Sequence, residues 1–192
     1  MFVQDKKLDL HLWPTVIVKR QLEQTPDWRP LVVHAWGDDS TKEMQEVNEI
    51  FSAAIREWLE AAGFDPDSYE HSHVDRGIHR YKPNEYIAPH WDGGDLTVIL
   101  YLAGTGDMNS THAHGHYHAP TQSGVTTFLD PRGASASMVR KPGSPDRTFF
   151  SFVPIAGLVV AFPSHVPHFT TPHFDAGERV AASSTFTIKR KT

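Results

Sequence analysis

A chain of 192 residues, 39% hydrophobic and 21% charged, has the size and composition of one globular domain with a core of its own. It contains no cysteine, which excludes disulfides and thiolate metal sites and leaves only nitrogen and oxygen donors for a metal. The formal charge of -5 argues against nucleic acid as a partner, because phosphate binding needs a clustered positive surface; the one basic run, Lys189, Arg190 and Lys191, reads as a solvated tail.

The opening residues, MFVQDKKLDLHLWP, show neither a signal-peptide core nor a cleavage site. No apolar run approaches the ~20 residues of a membrane span. A cytoplasmic protein without a membrane partner is therefore expected. Residues 15–22, TVIVKRQL, are dominated by β-branched side chains and predict a strand. Residues 43–62 predict a helix, because Met44, Val47, Ile50, Phe51, Ala54, Ile55, Trp58 and Leu59 recur at steps of three and four. Ser40 or Thr41 can cap its start and Gly63 can end it. After residue 75 the pattern changes to short strand-like runs at 96–102, 125–130, 147–153, 157–162 and 179–188, separated by Gly and Pro. The expected organisation is a single domain over 1–192. A strand and helix buttress over about 1–75 supports a mainly β sandwich or barrel over about 76–190. The long connections 103–123 and 131–146 are candidate active-site loops.

The most unusual count is 13 histidines, and histidine is the commonest metal ligand. Two histidines and one carboxylate on one face of Fe(II) leave open positions for chemistry. Such a triad often appears as His-x-Asp plus a distant His. Composition alone yields about one His-x-Asp in a chain like this, and there are three: His73-Asp75, His90-Asp92 and His173-Asp175. Context selects His90-Asp92. It precedes the apolar run 96–102, and the downstream segment 157–188 supplies His168 with Arg179 eleven positions later. The other two pairs read as surface polar residues.

The segment RYKPNEYIAPHWD (80–92) resembles the prolyl-4-hydroxylase-like branch of the Fe(II)/2-oxoglutarate-dependent oxygenase superfamily. Tyr81 and His90 keep the family's nine-residue separation. Tyr101-Leu102 matches its strand end, SGVTTF (123–128) its Gly-rich turn, His168 its distal ligand and Arg179 its basic residue. Asn84 and Ser123 stand where the family has glycine, and Arg179 where prolyl hydroxylases commonly have lysine. The resemblance implies a double-stranded β-helix, a jelly-roll or cupin-like barrel. It implies Fe(II) on His90, Asp92 and His168, with 2-oxoglutarate as co-substrate and O2 as oxidant, and it allows ascorbate as a reductant. Arg179 would bind the far carboxylate of 2-oxoglutarate, supported by Tyr81 and Thr126. The implied activity is a dioxygenase that hydroxylates, or otherwise oxidises, an unactivated C–H bond of a small metabolite or amino-acid-like substrate, releasing succinate and CO2. His165 is the alternative distal ligand, but the Phe-Pro-Ser-x-x-x-His spacing favours His168.

Three other readings stay open on these residues. A cupin-like dioxygenase or isomerase without 2-oxoglutarate would draw ligands from His112, His114, His116 and His118, which alternate along one extended segment. The same segment also reads as a lid facing solvent or substrate. A peptide or protein hydroxylase fits the resemblance, and a non-catalytic barrel fits the fold. Asp92 counts against a halogenase, whose iron needs that position vacant. Substrate identity and oligomeric state do not follow from the sequence.

Overall fold

The computed structural model describes residues 2–3, 17–22, 35–104, 111–112, 121–122, 124–129, 131, 149–174 and 177–192. Helix α1 spans Lys42–Ala61. The Thr41 hydroxyl accepts from the Met44 backbone N–H at 3.3 Å and caps its start. Gly63, at φ +85°, turns the chain out of the helix, a conformation glycine adopts without steric cost. The apolar stripe predicted over 43–62 is the buried face: Met44, Val47, Ile50, Phe51, Ala54, Ile55 and Leu59 are all buried.

The strands among the described residues are β1 (Phe2–Val3), β2 (Val18–Leu22), β3 (Tyr69–Tyr81), β4 (Leu96–Ala103), β5 (Thr111–His112), β6 (Thr121–Gln122), β7 (Thr126–Leu129), β8 (Phe149–Phe152), β9 (Leu158–Pro163), β10 (His168–Thr170) and β11 (Arg179–Arg190). Six form one sheet in the order β1-β2-β9-β4-β11-β3, three form a second in the order β10-β7-β8, and β5 pairs with β6. All of these pairings are antiparallel.

Because side chains alternate across a strand, the large sheet builds two cores. Leu96, Val98 and Leu100 of β4, Val159 and Ala161 of β9, and Ala182 and Phe186 of β11 pack with the apolar face of α1. The intervening residues Tyr101, Leu158, Val160, Phe162 and Ala181 pack with Phe128 and Phe152 of the small sheet. The fold is thus mainly β with a helical buttress, as the sequence predicts. Strand β3 was not predicted. It pairs with β11 from Tyr69 opposite Arg190 to Tyr81 opposite Arg179, so the large sheet runs through the boundary expected near residue 75. β3 is an edge strand whose residues from Glu70 to Asp75 are exposed; it has no need of the apolar alternation by which a strand is recognised.

Candidate functional site

The segment between β3 and β4 carries His90 and Asp92 to the mouth of the space between the sheets. Asn84 has φ +71°; asparagine tolerates this left-handed backbone better than most residues. His90 then pairs with His168 of β10 as a two-residue bridge, through N–H to carbonyl bonds of 3.0 and 2.8 Å. The Asp92 N–H donates to the Ser164 carbonyl at 3.0 Å. Two segments some eighty residues apart are thereby locked together by backbone alone.

The ligand atoms of His90, Asp92 and His168 all lie within 4.8 Å of one another. Each histidine Nε2 stands 3.7 Å from an Asp92 carboxylate oxygen. His90 Nδ1 lies 2.9 Å from the Ala88 carbonyl and His168 Nδ1 lies 3.1 Å from the Val166 carbonyl. A carbonyl can only accept, so both Nδ1 atoms carry a proton and both Nε2 atoms face the cluster. Thr97 Oγ1 donates to Asp92 Oδ2 at 2.8 Å and meets Ser164 Oγ at 2.9 Å. Burial lowers the His168 pKa, partly opposed by the Asp92 charge, which keeps this ring in the neutral, ligating form.

A cavity open to solvent runs from this cluster to Arg179. Arg179 is only 4% exposed. Its Nη2 donates to Thr126 Oγ1 at 2.9 Å, and Thr126 Oγ1 also meets the Tyr101 hydroxyl at 2.9 Å. The guanidinium stands 4.9 Å from the Tyr81 ring centroid and 5.4 Å from that of Tyr101. Burial pushes the Tyr81 hydroxyl up to about 12, against the opposing effect of Arg179, so it remains a donor. Among the described residues no carboxylate pairs with Arg179, and its Nε has no hydrogen-bond partner. A buried, uncompensated cation is costly; this one is arranged to receive an anion.

The structure thus brings all six predicted site residues, Tyr81, His90, Asp92, Thr126, His168 and Arg179, to one cavity. It leaves others out. His165 is exposed and outside the cluster. His73 lies on β3 with Nδ1 2.7 Å from Ser184 Oγ, and Asp75 is exposed. His173 is buried, and its carbonyl accepts from the Asn84 N–H. Asp175, His114, His116 and His118, and the side chain of His112, lie outside the described residues, as does Ser123. Trp91, between two of the clustered residues, is 72% exposed. Sequence reasoning gave no role to Thr97, His79 or Ser183 and read Tyr101 only as the end of a strand; all four line the cavity. Only strand alternation from Tyr81 and Arg179 would have pointed to His79 and Ser183.

The donor set of two imidazoles and a carboxylate suits Fe(II), and the partnerless Arg179 Nε at the far end suits the free carboxylate of a bound dicarboxylate. No protein-family model and no curated protein sequence matches the chain. Solved structures do. A Pseudomonas putida prolyl-4-hydroxylase is 16% identical with a TM-score of 0.52, covering 96% of this chain and 93% of that chain. The non-heme alpha-ketoglutarate-dependent epimerase SnoN from nogalamycin biosynthesis is 12% identical with a TM-score of 0.56, covering 97% and 82%. HygX from Streptomyces hygroscopicus, solved with nickel and 2-oxoglutarate bound, is 8% identical with a TM-score of 0.55, covering 93% and 83%. The chain therefore has the double-stranded β-helix fold of the 2-oxoglutarate/Fe(II) oxygenases, with prolyl-4-hydroxylase-like structures among those it resembles.

Proposed function

We propose that this protein is an Fe(II)- and 2-oxoglutarate-dependent dioxygenase that oxidises an unactivated C–H bond of a small organic substrate. One observation carries the reading. A single cavity has a His-Asp-His cluster at one end and a buried, uncompensated arginine at the other, which is what a metal-chelating dicarboxylate requires. His90 and His168 would hold the iron through Nε2 and Asp92 through a carboxylate oxygen. The Ala88 and Val166 carbonyls fix the two rings, and Thr97 fixes the carboxylate. Arg179 would receive the far carboxylate with its planar, two-pronged donor set. Thr126 holds the guanidinium in place, and the Tyr81 and Tyr101 rings shield it from water. When bound, Fe(II) with 2-oxoglutarate and O2 supplies the oxidising chemistry, yielding succinate and CO2.

The substrate reading, a small molecule handled without nucleic acid or membrane, rests on the net charge of -5 and the compact cavity. No helix among the described residues is long and apolar enough to cross a membrane, and the cytoplasm remains the proposed location. The test is succinate and CO2 release from 2-oxoglutarate by the iron-loaded protein in air. The reading expects release that needs both iron and Asp92; no release above that of an Asp92→Ala control overturns it.

A further inference from the structure

One polar pair in the cavity has no part in the proposed chemistry. His79 of β3 and Ser183 of β11 both line the cavity, and His79 Nε2 lies 2.8 Å from Ser183 Oγ. Register fixes where they stand. Along the inner face of β4, Thr97, Ile99 and Tyr101 lie opposite Thr185, Ser183 and Ala181 of β11, and Arg179 follows. Thr97 marks the metal end through Asp92, and Arg179 marks the anion end. Ser183 therefore sits between the two ends, and it turns the His79 ring towards that middle stretch.

This inference rests on the proposed use of 2-oxoglutarate. That molecule has its polar atoms at its ends and two methylene groups between. A hydrogen-bonding pair in the middle of the cavity matches nothing on the methylenes. Among the described residues, His79 Nδ1 has no hydrogen-bond partner. The neighbouring walls, Ile87, Ile99 and Ala181, are apolar. The two charged side chains that line the cavity among the described residues, Asp92 and Arg179, are both already committed. Burial lowers the His79 pKa, partly opposed by the Asp92 charge, so the ring is neutral at neutral pH.

The geometry points to His79, braced by Ser183, as the anchor for the oxidised substrate, and to a substrate whose anchoring group is an uncharged hydroxyl or amide on an apolar body. Among the described residues, charged amino-acid-like groups find no free counter-charge in this part of the cavity.

The test uses the full chain loaded with Ni(II) and 2-oxoglutarate. The probes are cyclohexanol and N-ethylacetamide, set against cyclohexanecarboxylate and cyclohexylammonium, with binding read by saturation-transfer NMR. The neutral probes should bind the wild type in preference to the charged ones. His79→Phe should weaken them about five- to tenfold, the size of one neutral hydrogen bond, and Ser183→Ala should weaken them by less. His79→Gln, which keeps an uncharged polar group, should restore part of the loss. Thermal unfolding checks that each variant is folded, and Ser183→Ala stands in if His79→Phe is not. The assignment is overturned if no neutral probe binds the wild type, if His79→Phe binds them equally, or if its 2-oxoglutarate affinity falls instead. A wild type that never binds 2-oxoglutarate sinks the proposed function; the probe arm, run on the Ni(II) form alone, still decides the role of His79.

Discussion

Replacing Arg179 by methionine separates ligand binding from folding. The guanidinium is 4% exposed, touches two tyrosine rings and makes one bond to Thr126, with no carboxylate partner among the described residues. In the ligand-free protein, its desolvation costs several kcal/mol. Two cation–π contacts at roughly 0.5–2 kcal/mol each and a charged hydrogen bond at ~1.5–3 kcal/mol offset a similar amount. Arg179→Met should therefore leave the ligand-free Tm within about 4 °C of wild type, since ~1 kcal/mol moves a domain of this size by about 2–4 °C. With ligand the balance is one-sided, because a buried carboxylate would lose its only cation. That loss costs ~3–5 kcal/mol, or about 100- to 5,000-fold in affinity. Arg179→Lys keeps the charge but loses the two-pronged geometry, and should fall between the two. Calorimetric titration of 2-oxoglutarate into the Ni(II)-loaded variants measures the affinities. An Arg179→Met protein that binds 2-oxoglutarate like wild type refutes the reasoning. So does one that keeps most of its affinity while losing ~10 °C or more of ligand-free stability, which would make Arg179 a structural residue.

Asp92→Ala should abolish stoichiometric Ni(II) binding, whereas Asp75→Ala, Asp175→Ala and His165→Ala should retain it; loss in any of the latter three, with the fold intact, would place the metal elsewhere. Thr97→Val removes the donor to Asp92 Oδ2 and should weaken metal binding about 10- to 100-fold, measured by chelator competition; unchanged affinity would show that the ligand needs no such support. Burial holds His71, His73, His79 and His168 below the ordinary value of 6.5. The unfolded chain then binds more protons than the folded one as pH falls through that value, so stability is lost on acidification. The Tm of the metal-free protein should fall between about pH 8 and about pH 5.5; a rise would contradict the sign.

What could be read from the sequence follows from how each element is buried. α1 has one buried face, so its period shows, and the expected 43–62 differs from the observed Lys42–Ala61 only at its ends. β4 and β9 are covered by α1 on one side and by the small sheet on the other; they read as apolar runs because neither face meets water. β3 escaped because its outer half lies at an edge in solvent. The ligand triad was legible because His-x-Asp spacing survives in one dimension. Its supports were not. Thr97 and Ser164 meet across 67 residues and His79 and Ser183 across 104, and only sheet register brings such pairs together. Asn84 stands where the resembled pattern has glycine, and its positive φ is one that glycine and asparagine adopt more readily than other residues.

One cavity is proposed to hold a metal at His90, Asp92 and His168 and a dicarboxylate between that metal and Arg179. The most direct measurement is the absorption spectrum of the anaerobic Fe(II)-loaded wild-type protein during titration with 2-oxoglutarate. A visible metal-to-ligand charge-transfer band that saturates at one 2-oxoglutarate per chain is expected. No band at any 2-oxoglutarate concentration, from a protein that has bound one Fe(II) per chain, would contradict it.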